Sequence, residues 1–72
     1  MSFARGTVIF TSGEREKTVT FEESFTNTPV VKLTPNSNIN VYLSDVQNSY
    51  FTIQKNDNSE LTVNYVAIES EL

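Results

Sequence analysis

The side chains equipped for chemistry are carboxylates and amides, because the 72-residue chain contains neither histidine nor cysteine. Ser-His and Cys-His nucleophile arrangements are therefore impossible. Thiolate metal sites and disulfides are excluded by the same count. The two glycines, Gly6 and Gly13, are too few and too far apart for a phosphate-cradling loop. Carboxylates working as an acid and base pair remain. Glu22 and Glu23 are neighbours, which on a strand point to opposite faces and cannot flank one bond. Glu69 and Glu71 share a face but sit at the end of the chain, where fraying is expected. These acids read as solvated surface groups, and no catalytic residue and no cofactor is assigned.

Two other clusters carry oxygen and nitrogen ligands. Asn56-Asp57-Asn58-Ser59-Glu60 concentrates oxygens, but it lacks the glycine and the distant bidentate glutamate of an EF-hand loop. Asn, Asp and Ser also close tight turns by bonding their own backbone, so the segment reads as a turn and no metal is assigned. Asn36, Asn38 and Asn40, with Tyr42 and Tyr50, combine neutral hydrogen-bonding groups with aromatic rings. Such a set suits a sugar. The competing reading has the asparagines filling turn positions and the tyrosines packing at strand ends.

Charge narrows the partners. The net charge is -4, and the five basic residues Arg5, Arg15, Lys17, Lys32 and Lys55 are scattered along the chain. Binding nucleic acid needs a basic stripe to displace counterions from phosphate, and none is present. No apolar run follows Arg5, so Met1 to Arg5 does not read as a signal peptide. The apolar runs are too short to cross a membrane as a helix.

The elements that must position these groups read as strands. Apolar and polar residues alternate with period two between turn residues. Strands are expected at residues 7–11, 17–23, 30–34, 39–44, 50–55 and 60–69. Phe25 is expected to tuck under the sheets as the chain turns through Thr26 to Pro29. Thr11 and Glu14 have the spacing of a capping box without a following helix, and residues 14–16 read as a solvated hairpin tip. Six short strands about ten residues apart indicate an all-β, antiparallel β-sandwich or barrel. One domain spans 1–72, with its core within 7–69. The inward row is Val8, Phe10, Val19, Phe21, Phe25, Val31, Leu33, Ile39, Val41, Leu43, Phe51, Ile53, Leu61, Val63 and Tyr65.

A second apolar set lies out of phase with that row. By parity, Ile9, Val30, Tyr42, Val66 and Ile68 point away from the core. A chain this short buries only about 60% of its unfolded surface and needs a staple. With disulfides excluded, other copies of the chain are the expected staple, and these five residues are the expected subunit interface. The alternative is a β-bulge near Asn64 that turns Val66 and Ile68 back into the core.

One further pattern is a resemblance. The run Val19-Thr20-Phe21-x-x-x-Phe25-x-x-x-Pro29-x-Val31 resembles the opening of the H-type lectin domain. Ser49-Tyr50-Phe51-Thr52-Ile53 is similar to a later strand of that domain, and Asn64-Tyr65-Val66-Ala67-Ile68 to its closing strand, with Tyr65 where the family carries tryptophan. The resemblance spans about Thr18 to Ile68. It implies a six-stranded antiparallel sandwich that forms homotrimers. Similar short domains occur at bacteriophage tail-fibre tips and among other small virion proteins. The expectation is therefore a non-enzymatic viral structural protein, made in the host cytoplasm and located in the virion. It would decorate a capsid or form part of a tail or head fibre, with itself and other virion proteins as partners. The alternative expectation is a carbohydrate-binding module that contacts cell-surface glycans.

Overall fold

The computed structural model describes residues 3–69. Six strands follow in order: β1 (Phe3–Phe10), β2 (Glu16–Thr20), β3 (Pro29–Pro35), β4 (Val41–Val46), β5 (Tyr50–Lys55) and β6 (Leu61–Glu69). They form two three-stranded antiparallel sheets, ordered β1-β6-β3 and β2-β5-β4. The fold is the expected all-β arrangement of six antiparallel strands. We call the first sheet A and the second sheet B.

Chain order alternates between the sheets, so most connections are crossovers. Only β4 and β5 are consecutive and paired. Residues 11–15 carry the chain from sheet A to sheet B, which corrects the expectation of a hairpin tip at 14–16. The spacing of Thr11 and Glu14 still has a physical role there. Glu14 N donates to Thr11 O, while Glu14 Oε1 accepts from both Thr11 N and Thr11 Oγ1 at 2.7 Å. Only the glutamate half of a capping box is made, because the Glu14 N–H bonds the Thr11 carbonyl and not its hydroxyl, and the result is a closed turn instead of a helix start. Gly13 takes the third position with φ +91°, which a glycine reaches without a Cβ penalty.

The core between the sheets is formed by Val8, Phe10, Phe21, Phe25, Val31, Phe51, Ile53, Leu61, Val63 and Ala67. Val19, Leu33, Ile39, Val41, Leu43 and Tyr65 pack around it, so the whole expected inward row faces the interior. Phe21, Phe25, Phe51 and Tyr65 form a chain of ring contacts, with centroids 4.8 to 5.5 Å apart. Such offset and edge contacts add to the area that each ring buries. Phe25 lies outside any strand. It is held by its N–H bond to Asn48 O, and the Asn48 side chain ties down Thr26 and Thr28.

Two departures from simple alternation decide which side chains reach the core. The alternative of a bulge in β6 is not realised: Leu61, Val63, Tyr65 and Ala67 stay on the inner face in unbroken register with both neighbours, and Val66 and Ile68 keep the outward phase expected of them. The bulge is in β4, between Leu43 and Asp45, and it shifts parity so that Val46 also joins the core. β5 places a lysine in its inner row, after Phe51 and Ile53. Lys55 is 3% exposed. Its ammonium donates to Asp57 O (2.8 Å) and Ser59 O (2.6 Å), and lies 5.3 Å from the Phe10 ring centroid.

Candidate assembly surface

Because β6 keeps its phase, Val66 and Ile68 point outward from sheet A. The register then fixes their neighbours. Ile68 is paired with Phe3 on one side and Val30 on the other. Directly opposed residues point to one face, with strands about 4.8 Å apart. Phe3, Ile68 and Val30 therefore make an apolar row about 10 Å wide across the outer face of sheet A. Phe3 is 51%, Ile68 45% and Val30 56% exposed. The next row is Arg5, Val66 and Lys32, with the half-buried Val66 between the two cations. Beyond it lie Thr7, Asn64 and Thr34, where Thr7 Oγ1 donates to Asn64 Oδ1 at 2.9 Å.

The expected interface set is only partly brought together. Val30, Val66 and Ile68 are neighbours. Ile9 shares their face, opposite Thr62, but lies six residues along β1 from Phe3, about 20 Å away. Tyr42 is on β4 in sheet B and faces the opposite side of the molecule. Parity gave its in-or-out sense correctly but carried no information on which sheet it joins. Phe3 belongs to the patch and was missed. Its strand begins earlier than expected, because β6 is long enough to pair with it.

The outer face of sheet B is different in kind. The Tyr42 hydroxyl donates to Gln54 Oε1 at 2.6 Å, and Gln54 Nε2 donates on to Glu16 Oε2 at 2.8 Å. Thr18 and Thr52 hydroxyls are 3.1 Å apart, and the Tyr50 hydroxyl donates to Asp45 Oδ2. The Tyr50 proton is held more tightly than usual, through that bond and the nearby Asp45 charge. This face is a hydrogen-bonded polar lattice suited to water.

The same bonds scatter the expected sugar-binding set. Asn36 pairs with Thr62 through its own N–H and its Oδ1, so it prolongs the β3–β6 ladder. Asn38 and Asn40 are exposed in the loop that crosses to β4. Tyr42 and Tyr50 sit at opposite ends of the β4–β5 pair, each engaged with its own partner. No one pocket collects these five residues.

The recesses lie elsewhere. A cleft of about 420 Å3 opens where β1 passes β2, lined by Phe3, Ala4, Arg5, Thr20, Phe21, Glu22 and Tyr65. A shallower depression of about 360 Å3 lies over Gly6 on the outer face of sheet A, between Arg5, Thr7, Asn64 and Val66.

The oxygen-rich turn at 56–59 has a resident cation of its own. Asp57 Oδ1 accepts from Ser59 N and Ser59 Oγ, at 3.0 and 2.7 Å, and lies 3.4 Å from Lys55 Nζ. The Ser59 bonds, and then Lys55, hold the Asp57 carboxyl below its ordinary pKa. No cluster of three or more metal-ligating side chains occurs among the described residues.

Comparison with known proteins leaves the geometry to speak for itself: no family model, curated protein or solved structure matches the chain.

Proposed function

We propose that this protein is a non-enzymatic structural subunit that works as an assembly of identical chains. One observation carries the reading. Sheet A presents the apolar row Phe3–Ile68–Val30 beside Val66, while sheet B presents a closed polar lattice. Contiguous apolar area on one face of a small protein marks a contact site, whereas scattered apolar residues do not. A chain of this size gains most from covering such a face with its own kind.

The kind of particle follows from the resemblance to the H-type lectin domain and its virion relatives. The two-sheet, six-stranded architecture is compatible with that resemblance. It favours a virion component, in a tail or head fibre or on a capsid surface, and it implies three-fold assembly. Sedimentation of the protein against Ile68→Lys tests the assembly reading, with dissociation of the variant as the expected result. Labelling of purified particles by an antibody to the protein tests the virion reading.

Glycan binding is a second reading, and the cleft between β1 and β2 favours it. Phe3, Phe21 and Tyr65 line the cleft together with Arg5 and Glu22. A glycan array probed with the assembled protein tests it, and an array without hits would dismiss it.

A further inference from the structure

Three of the four sheet edges carry a feature that discourages a further strand. β3 begins and ends with proline and has Lys32 at its centre. β4 is broken by its bulge at Ser44, and β2 is five residues long. Proline, lysine, bulges and short length are the usual means of blunting an edge. β1 has eight residues, no proline and no bulge, and among the described residues it pairs only on its β6 side. None of the loop backbone bonds among the described residues reaches Phe3–Phe10. An edge of that length and regularity is a template for another strand.

β1 itself is the strand that fits. Its outer face carries Phe3, Arg5, Thr7 and Ile9 in turn, with Gly6 at the midpoint. Two β1 strands laid antiparallel about Gly6 put Phe3 of each copy opposite Ile9 of the other. Arg5 then meets Thr7, and on the inner face Ala4 meets Val8. Shifting the register by two residues one way sets Arg5 against Arg5, and like charges directly opposed are unfavourable. Shifting it the other way sets Arg5 against Ile9. Of these three registers, only the Gly6-centred one matches apolar with apolar on the outer face.

We propose that two copies of this chain join through β1, antiparallel about Gly6, merging their sheets A into one six-stranded sheet. The pairing rests on the assembly reading above and adds its edge, register and symmetry. It also explains Ile9. In one chain that residue is 61% exposed and isolated from the patch. In the pair it extends the row of the second copy, giving Val30, Ile68, Phe3 and then the incoming Ile9. The contact is isologous and closed, so the edge is consumed and does not propagate into a fibre.

Cysteine cross-linking tests the register directly, because the chain has no cysteine of its own. Opposed antiparallel residues have Cα atoms about 4.5–5.5 Å apart, within the range a disulfide spans. The double variant Arg5→Cys/Thr7→Cys should give a covalent dimer on mild oxidation. Lys32→Cys/Thr34→Cys, on the outer face of β3, should give at least about tenfold less. Ile9→Lys should weaken association at least about tenfold and leave the circular dichroism of the fold unchanged. The wild-type particle should contain an even number of chains, six where the β1 pairing is combined with the three-fold assembly above.

Equal cross-linking at the two edges, an odd number of chains, or no effect of Ile9→Lys would overturn the pairing. Each of those results leaves the assembly reading standing if Ile68→Lys still dissociates the particle. A wild-type protein that stays a single chain would overturn both.

Discussion

Gly6 and Tyr65 face each other across β1 and β6, and the tyrosine ring fills the space a side chain at position 6 would need. A Cβ built on Gly6 would lie 2.9 Å from Cε2 and from the hydroxyl oxygen of Tyr65. The ring is itself fixed from the other side by Phe51, centroid to centroid 4.9 Å. The glycine is thus required by packing, since no left-handed backbone occurs there. Gly6→Ala should destabilise the fold by about 1–3 kcal/mol. In a Tyr65→Leu background the same change should cost much less, a coupling that denaturant melts of the four proteins in the cycle would read.

Lys55 closes the end of the sandwich with a buried ammonium. Lys55→Met keeps most of the apolar stem over Phe10 but removes the donor shared by Asp57 O and Ser59 O. Leaving those acceptors without it should cost about 1–3 kcal/mol. Amide exchange should speed up around residues 56–59 in the variant, while the β1–β6 ladder keeps its protection. Equal loosening of both regions would show that the lysine is a general packing residue.

Acid should weaken the fold through two loop carboxylates. Glu14 is held down from the ordinary 4.5 to about 2, first by the bond from Thr11 N–H, then by the Thr11 hydroxyl and Lys17. Asp57 is lowered from 3.8 by its Ser59 bonds and by Lys55. A depressed folded-state pKa means that ionisation favours the fold. The contribution is complete above the unfolded-state value and disappears as pH falls through the folded one. For Glu14 that window runs from about pH 4.5 down to about pH 2. Both groups are exposed, so the effect is modest and screened by salt. Thermal melts of Glu14→Gln/Asp57→Asn across this range should show a shallower loss than the parent. An unchanged slope would mean that other carboxylates dominate.

Much of the fold is legible in the sequence because period two is a strong constraint. The inward positions within the strands, such as Val8, Phe51 and Val63, follow from alternation alone, and β5 starts and stops where its turn residues say it should. Parity does not reveal partners. It placed Tyr42 outward but could not place it in sheet B, because sheet membership depends on crossovers that leave no local mark. The start of β1 was hidden for a similar reason. Phe3-Ala4-Arg5-Gly6 has weak strand character of its own and is held extended by β6. Lys55 was readable as an inner residue by phase, since it follows Phe51 and Ile53 at steps of two. Its charge argued against that, and only the acceptors of the 56–59 turn resolve the conflict. Ala67 also continues the inner row of β6, and its burial is what turns Val66 and Ile68 outward.

The two outer faces predict opposite responses to the same kind of substitution. Val30→Lys/Ile68→Lys inserts charge into the apolar row of sheet A, whereas Tyr42→Lys alters the polar lattice of sheet B. The first should disperse the assembly without unfolding the chain, since both side chains are already open to water in a single copy. The second should leave assembly intact and cost about 0.5–1.5 kcal/mol, through loss of the Tyr42–Gln54 hydrogen bond.

The mass of the wild-type protein in dilute solution, measured beside Val30→Lys/Ile68→Lys, bears most directly on whether copies of the chain cover sheet A. The wild type should sediment as a discrete multiple of 8.1 kDa, and the variant as a folded species of lower mass, no larger than the pair joined through β1. A wild type that is already a stable single chain, indistinguishable in mass from the variant, would contradict the account.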